Sequence, residues 1–316
     1  MKHVFIIDPK PFRDQQWKMD GLFDSIGQHF RTQEKANFST LVEKYPRDAI
    51  GLIQKQVDEA EDLFETVRVY AIGGDDILFD CLNGIVGLPN MELATVPYGT
   101  VNSFIRSFGE GKAELFKSIP ALVEASVIPT DIIKVGYNYA LNGCAVGLTP
   151  AVAIKMRDVN AKFEKGLNRL SAALWRFLIN FGSRFDKDIV ARRYTITIDG
   201  EDYSGNYSLI NILNGPCFGH KKNALPGVMP DDGSLDVVLF KPAGVLSTLI
   251  SFAKYARGKT PSNCVRVQAR KIAIQSDKPM WIQTDSEYLM DTGIGFELVP
   301  QAVQMVAVDN LTYQRY

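Results

Sequence analysis

The stretch Val67-Arg-Val-Tyr-Ala-Ile-Gly-Gly-Asp-Asp-Ile77 decides how the rest of the chain is organised. Its first six residues alternate in the pattern of a strand, and helical spacing begins near Leu78. Gly73 and Gly74 permit backbone angles that a side chain restricts. In an open parallel sheet, ligands bind at such a junction, where the helix start offers unpaired N–H groups to a phosphate. Asp75 would hold Mg²⁺ or accept a proton, although a plain tight turn gives the same pattern.

Composition excludes several classes of protein. The chain has 316 residues, enough for two domains and a sizeable core. Its 35 Lys and Arg residues nearly balance 36 Asp and Glu residues, which argues against a dedicated nucleic-acid binder. The four cysteines lie far apart without a Cys-x-x-Cys pair, so the sequence predicts neither a zinc knuckle nor a disulfide framework.

Apolar runs in the chain are too short to target it to a membrane. Val4–Ile7 is strand-like and shorter than a signal-peptide core. The longest candidate span, Leu170–Phe181, carries Arg176 at its middle and falls short of the roughly 20 residues that cross a bilayer. We therefore expect a cytoplasmic protein whose only membrane contact is peripheral.

Strands alternate with helices up to about residue 130, which predicts a doubly wound parallel sheet. The predicted strands are 4–7, 40–42, 67–72 and 93–96, and the predicted helices are 19–26, 49–63 with Asp48 as its cap, and 78–86. A second polar turn, Pro97–Phe104, follows the fourth strand and precedes a helix. Because both turns follow parallel strands, we expect a crevice where they meet one ligand. Thr100 and Asn102 in this turn also suit helix capping.

Beyond residue 130 the pattern becomes mostly strands, which predicts a second domain. The strands are 131–135, 137–146, 194–199, 208–213, 235–239, 264–267, 271–274 and 280–284, with helical segments at 152–181 and 245–255. The predicted domains are 1–132 and 133–302. The tail, 303–316, contains a strand at 305–308 that we expect to return to the first domain.

Six short motifs follow one another along the chain. They are Gly73-Gly-Asp-Asp-Ile77, Asn83-Gly-Ile85, Pro97-Tyr-Gly-Thr-Val-Asn-Ser-Phe-Ile-Arg106, Asn214-Gly-Pro-Cys-Phe-Gly219, Pro230-Asp-Asp-Gly-Ser-Leu-Asp-Val237 and Gln283-Thr-Asp-Ser-Glu287. They are similar to GGDGT, NG[IL], PLGTGNDFAR, NGxxFGGG, PDDGxLDV and xxDGE. Because the six motifs occur in the same order and at similar spacing, the chain resembles the diacylglycerol kinase catalytic-domain family. This is a group of bacterial lipid kinases and sphingosine kinases distantly related to NAD kinases.

This resemblance implies an N-terminal α/β domain, a C-terminal β-sandwich-like domain with a helical insertion, and an active site between them. It implies an ATP- and Mg²⁺-dependent kinase that phosphorylates a hydroxyl of a diacylglycerol- or sphingoid-like lipid. Glu287 would be the general base with Asp285 beside it, and Asp75 would complete the catalytic set. The alternative for Asp285 and Glu287 is a polar β-turn.

The resemblance also implies ligand contacts. The predicted nucleotide contacts are Asp8, Gly73, Gly74, Asp75, Asp76, Ile77, Gly99, Thr100 and Asn102. Asp232 would bind a structural Mg²⁺ together with the carbonyls of Met229 and Ser234, a donor set that suits this ion, although a plain Asp-Gly turn also fits. The expected partners are ATP and a lipid alcohol at a membrane surface, not nucleic acid, and a homodimer is compatible with the sequence.

Departures from the family pattern cluster at the nucleotide end. Asp8-Pro-Lys-Pro-Phe12 replaces NPxSG, Glu43 replaces a threonine, and Asp76 and Ile77 replace the glycine and threonine of GGDGT. Two further replacements in the second turn are Val101 for glycine and Ser103 for aspartate. An extra carboxylate near a phosphate costs about 1 to 4 kcal/mol unless a metal or Lys10 compensates.

These departures leave three functions open. The first is a lipid kinase with an altered nucleotide loop. The second is a non-catalytic relative with a binding or regulatory role. The third, NAD kinase activity, is weaker because the motifs at 230–237 and 285–287 favour the lipid branch.

Overall fold

A computed structural model describes residues 1–31, 37–59, 64–154, 191–218, 225–243, 247, 250–251, 254–255 and 257–315. Over these ranges, 15 strands join one mixed sheet with a parallel part and an antiparallel part. The parallel part lies in the N-terminal region and confirms the α/β fold predicted there. None of the helices in the described ranges is long and apolar enough to span a bilayer.

The N-terminal part alternates strands and helices. Its elements are β1 (Lys2–Ile7), α1 (Gln16–Arg31), β2 (Phe38–Val42), α2 (Asp48–Asp58), β3 (Val67–Gly73), α3 (Asp75–Ile85), β4 (Met91–Pro97) and α4 (Ile119–Glu124). The parallel strands lie in the order β2-β1-β3-β4. Every residue of β1 and β3 is buried, as expected for strands covered on both faces.

Three boundaries in this part differ from the predictions. Helix α3 begins at Asp75, three residues before the predicted start, because acidic side chains are favourable in a first helical turn. Helix α2 begins at Asp48 itself, with Arg47 as the cap, and ends at Asp58. The turn after β4 leads into 3-10 segments, Phe104–Phe108 and Lys112–Lys117, instead of an α-helix.

The C-terminal part is antiparallel. Its strands are β5 (Ser126–Val135), β6 (Asn138–Ala140), β7 (Gly143–Gly147), β8 (Arg192–Ile198), β9 (Glu201–Asp202), β10 (Gly205–Tyr207), β11 (Leu209–Leu213), β12 (Leu235–Phe240), β13 (Cys264–Ala269), β14 (Lys271–Thr284) and β15 (Glu287–Ala307). Their pairing builds the β-sandwich-like architecture that the resemblance implies.

Two strand predictions are corrected here. The predicted strand 137–146 is interrupted at 141–142, so it forms β6 and β7. The two predicted strands within 271–284 form the single strand β14, with an irregularity in its pairing between Gln275 and Met280. Residues 148–154 are helical, and the rest of the predicted insertion lies outside the described residues, as does part of the predicted helix 245–255.

Strand β15 connects the two parts of the sheet. Its first half pairs antiparallel with β14, and near its end Met305 lies opposite Leu93 of the parallel strand β4. Strand β5 lies at the border between the two main cores, because Ile132 belongs to the N-terminal core and Ile133 to the C-terminal core. The domain boundary after residue 132 stays a prediction.

Candidate active site

The two polar turns predicted from the sequence lie against each other at the carboxyl ends of β3 and β4. The carbonyl of Gly73 accepts hydrogen bonds from the N–H groups of Tyr98, at 3.0 Å, and Gly99, at 2.7 Å. A Cβ on Gly99 would lie 2.3 Å from the Cα of Gly74, so the backbones approach too closely for any side chain at this position. The glycines therefore allow the two turns to form one surface.

Asp75 fastens the second turn to the start of α3. Its carboxylate accepts one hydrogen bond from the Ser103 N–H, at 2.8 Å, and another from the Ser103 hydroxyl, at 2.7 Å. Burial raises the pKa of Asp75, and the two bonds from Ser103 oppose that rise. Ser103, which stands where the family pattern has aspartate, thus supplies the partner that keeps this carboxylate in place.

A cleft of about 550 Å³ opens beside these turns and is bounded on its other side by the turn between β14 and β15. Among the described residues, its walls carry one lysine, Lys10, and six carboxylate side chains. The six are Glu43, Asp75, Asp76, Asp80, Asp285 and Glu287. The structure therefore brings Asp75 and Asp76 of the N-terminal part to the same cleft as Asp285 and Glu287 of the C-terminal part.

Asp285 lies in the two-residue turn between β14 and β15, with a φ of 45°. Its carboxylate accepts hydrogen bonds from the N–H groups of Leu141, Asn142 and Gly143, at 2.6, 3.1 and 3.0 Å. Burial raises the pKa of Asp285 to about 7, even though these three bonds lower it. Asp285 therefore anchors a polar turn, as one interpretation of the sequence expected. The same turn lines the cleft, so it also remains compatible with a place in an active site.

Glu287 is the first residue of β15 and is only half-buried on the cleft wall. It lies close enough to Asp80 of α3 to affect it electrostatically. Burial raises the pKa of Asp80 to about 6, and the negative charge of Glu287 contributes to the rise. The base expected from the resemblance thus shares the cleft with α3, the helix that follows the glycine turn.

The sequence analysis did not single out the cleft residue Asp80, and it noted Glu43 only as a replacement for a threonine at the nucleotide end. Asp80 lies four residues after Asp76, a spacing that places two side chains on one helix face and could have revealed it. Glu43, at the end of β2, accepts a hydrogen bond from the Ala49 N–H at 3.2 Å. Burial raises the pKa of Glu43 to about 7, and the charge of Asp80 adds to this.

Four predicted nucleotide contacts with side chains do not line this cleft, and their role stays a prediction. One of them, Asp8, nevertheless lies beside the glycine turn, because its Oδ2 would be 3.6 Å from a Cβ on Gly73. Ile77 is 1% exposed and packs in the N-terminal core, so its side chain points away from the cleft. Asp8 is buried and accepts a hydrogen bond from the Lys10 N–H, at 2.9 Å. Thr100 is exposed at the tip of its turn, and Asn102 donates to the Gly99 carbonyl at 2.7 Å, which is a local turn contact.

Lys10 is the cation that the sequence offers as compensation for Asp76. Its Nζ lies 3.8 Å from a carboxylate oxygen of Asp76, and half or more of each side chain is exposed. An ion pair this open to solvent contributes little, typically about 0 to 1 kcal/mol. Lys10 therefore offsets the charge of Asp76 only weakly.

The predicted structural metal site lies on the Asp231-Asp232-Gly233 turn. Asp232 accepts a hydrogen bond from the Ser234 N–H at 3.0 Å. Burial raises the pKa of Asp232 to about 6, and Asp236 and Asp131 add to this. No three histidine, cysteine or acidic residues within the described ranges are arranged to hold a metal, so an ion here would need backbone carbonyls. A site built from Asp232 and the carbonyls of Met229 and Ser234 stays a prediction.

Two family models match successive parts of the chain. The diacylglycerol kinase catalytic domain matches residues 4–135, and the YegS C-terminal NAD kinase beta sandwich-like domain matches residues 186–307. Together with the fold, these matches define a chain that joins a diacylglycerol kinase-type α/β domain to an NAD kinase-like β-sandwich domain. The chain belongs to the diacylglycerol kinase catalytic-domain family, which confirms the resemblance drawn from its motifs.

Individual relatives agree with this membership. A candidate lipid kinase of Staphylococcus aureus strain MRSA252 is 25% identical over 258 residues, covering 80% of this chain and 81% of its own. A second, from strain Newman, is 25% identical over 247 residues, or 77% and 78% of the two chains. A candidate diacylglycerol kinase structure from Bacillus anthracis strain Sterne has the same fold, with a TM-score of 0.73, 22% identity and 98% of each chain covered.

Proposed function

We propose that the protein transfers the γ-phosphoryl group of ATP to a hydroxyl of a diacylglycerol- or sphingoid-like lipid presented at a membrane surface. The observation that supports this most directly is the shared cleft, in which Glu287 faces the turns that follow the parallel strands. Ligands of open α/β sheets bind at this edge. Family membership supports the kinase chemistry, and the names of the relatives support a lipid acceptor.

Glu287 acts as the general base in this proposal. It takes the proton of the lipid hydroxyl while the hydroxyl oxygen bonds to the γ-phosphorus, and the bond from that phosphorus to the bridging oxygen breaks to release ADP. Asp285 holds the turn that presents Glu287, because three backbone N–H groups fix its carboxylate. Asp285 is therefore assigned a positioning role, in place of the direct catalytic role expected from the resemblance.

The N-terminal turns receive the nucleotide. The close backbone contact between Gly74 and Gly99 leaves a surface without side chains, and the first turn of α3 offers N–H groups to phosphate. Mg²⁺ bound with ATP supplies positive charge that neutralises the phosphates. Asp76 and Asp80 suit this ion as oxygen ligands, because both line the cleft, whereas both oxygens of Asp75 are bonded to Ser103.

The decisive test is transfer of labelled phosphate from ATP·Mg²⁺ to lipids in mixed micelles, with diacylglycerol, a sphingoid base and NAD as alternative acceptors. We expect transfer to a lipid, and Glu287→Gln should reduce kcat at least about a hundredfold without changing the thermal midpoint. Glu297→Gln is the matched control, because Glu297 lies on the same strand, exposed and outside the cleft. Folded protein that transfers no phosphate to any lipid at millimolar ATP would refute the proposal, and transfer to NAD alone would replace it.

A nucleotide-impaired relative is the second candidate, favoured by two specific observations. Ile77 is buried where the family has a threonine, and Asp76 adds a charge that Lys10 offsets weakly. Calorimetric titration with ATP·Mg²⁺ separates the two candidates. The impaired relative predicts no binding by the native chain and measurable binding after Asp76→Gly with Ile77→Thr, whereas the kinase predicts that the native chain already binds.

A further inference from the structure

Asn83, in the Asn83-Gly-Ile85 motif near the end of α3, has no part in the chemistry proposed above. Its side chain nevertheless makes three hydrogen bonds. The Nδ2 group donates to the Phe79 carbonyl at 2.8 Å and to the Tyr139 carbonyl at 3.0 Å, and Oδ1 accepts from the Tyr139 N–H at 2.8 Å. The amide therefore pairs with both backbone groups of one residue of β6, much as a neighbouring strand would.

Strand β6 leads directly to the anchor of the catalytic turn. It ends at Ala140, and the next three residues, 141–143, donate their N–H groups to the Asp285 carboxylate. The Asp285 N–H donates in return to the Gly143 carbonyl at 2.9 Å. Glu287 follows two residues later, so hydrogen bonds and a short stretch of backbone connect Asn83 to the proposed base.

The connection from Glu287 back to Asn83 ends on helix α3, which lines the nucleotide side of the cleft. Helix α3 carries Asp76 and Asp80 on the cleft wall and Asn83 one turn further along. Asn83 thus joins the helix that lines one wall to the segment that holds the opposite wall. Since α3 is a single rigid element, the Asn83 contact fixes the position of both walls relative to each other.

Arg47 makes a second contact to the same strand. Its guanidinium donates to Asn138 Oδ1 at 3.0 Å and lies 5.7 Å from the centre of the Phe79 ring. Its backbone N–H donates to Asp80 at 3.0 Å. Arg47 therefore supports β6 from the α2 side, but through one side-chain bond, whereas Asn83 binds both the N–H and the carbonyl of Tyr139.

From this geometry we infer that Asn83 is a positioning residue that sets the separation between the nucleotide wall and Glu287. The kinetic part of this inference rests on the proposed kinase function. Phosphoryl transfer depends on alignment of the attacking oxygen with the phosphorus, and a shift of about 1 Å can cost on the order of a hundredfold in rate. Asn83 does not line the cleft, so its loss should alter kcat far more than KM.

Three variants test the inference. Asn83→Ala removes all three bonds, Asn83→Asp keeps an acceptor for the Tyr139 N–H but loses both donors, and Asn37→Ala is the control. Asn37 also hydrogen-bonds through its amide, to Glu65, but lies just before β2, at the sheet edge opposite the cleft. We expect kcat to fall about ten- to a hundredfold in Asn83→Ala, with KM for ATP within about threefold of the native value. The fall in Asn83→Asp should be at least as large, because its carboxylate would face the Phe79 and Tyr139 carbonyl oxygens. Asn37→Ala should leave both constants unchanged.

Hydrogen–deuterium exchange provides a readout that does not depend on activity. In Asn83→Ala, amides of 138–143 and of 284–288 should both exchange at least about tenfold faster, while the β1 and β3 amides stay protected. Faster exchange confined to 138–140, uniform loss of protection across the chain, or a KM increase that equals the kcat loss would each overturn the inference. If the native protein transfers no phosphate, the kinase proposal fails, and the exchange pattern alone then decides whether Asn83 couples the two walls.

Discussion

The carboxylate of Asp285 makes the folding free energy depend on pH, in a direction that can be derived from its surroundings. Two effects compete at this site. Burial disfavours the charged form, whereas the N–H groups of 141–143 favour it. Burial is the larger effect, since the pKa rises from 3.8 to about 7. A raised carboxyl pKa means that the folded protein holds its proton to higher pH than the unfolded chain does.

The size of the effect follows from linkage. Stability from this group is fully present below the unfolded pKa of 3.8 and falls as pH rises through the folded value of about 7. At about 1.36 kcal/mol per pKa unit, the loss between pH 5 and pH 8 is roughly 2 to 3 kcal/mol. The amide introduced by Asp285→Asn cannot ionise, so the variant escapes this loss while giving up part of the hydrogen bonding at every pH.

Urea unfolding of the native chain and of Asp285→Asn at pH 5, 6, 7 and 8 measures the difference. We expect the variant to be less stable at pH 5, because its amide offers a single acceptor oxygen to three N–H donors, where the carboxyl group offers two oxygens. Its disadvantage should shrink by about 2 to 3 kcal/mol at pH 8. A difference that stays constant, or that grows with pH, would refute the reasoning, because it would show that the N–H groups outweigh burial and hold the carboxylate ionised.

Two further predictions concern the packing of the N-terminal part. Arg68→Ala should destabilise the fold by about 3 to 5 kcal/mol in urea unfolding. The reason is that the buried guanidinium pairs with Glu92 at 2.6 Å and also donates to three backbone carbonyls. A loss of stability below about 1 kcal/mol would contradict this. Gly99→Ala should cost about 1 to 3 kcal/mol and abolish calorimetric ATP·Mg²⁺ binding, because its Cβ would overlap Gly74. Gly51→Ala, at an open position inside α2, should instead stabilise by about 0.5 to 1 kcal/mol, and equal effects of the two glycine variants would count against the overlap.

The α/β fold can be predicted from the sequence because its signals are local. The apolar runs of β1 and β3 and the turn glycines identify buried parallel strands without knowledge of the rest of the chain. The predicted start of α3, near Leu78, is wrong because the local signal there was misinterpreted. Asp75 and Asp76 look like loop residues by polarity, but acidic side chains at a helix N-terminus are stabilised by the helix dipole.

The cleft can be predicted only in part, because its supporting contacts join distant segments. The motif resemblance points to Asp285 and Glu287, yet nothing in their neighbourhood shows that residues 141–143 hold the Asp285 carboxylate. Those partners are separated from Asp285 by 142 to 144 positions in the chain. The interruption between β6 and β7 has the same origin, since 141–142 leave the strand geometry to direct their N–H groups at Asp285.

The charge of the cleft limits which ligand it can accept. Six carboxylates face it across the described residues, and burial raises the pKa of Glu43, Asp80 and Asp285 toward neutrality. Neighbouring carboxylates add to each of these rises, so an ionised cleft would repel a bare triphosphate. A nucleotide that carries its own divalent cation reverses this, because the same carboxylates then attract the metal. The replacement of glycine by Asp76 is therefore compatible with either proposed function, and the outcome depends on whether the cation that accompanies ATP can lie close enough to Asp76 to offset it.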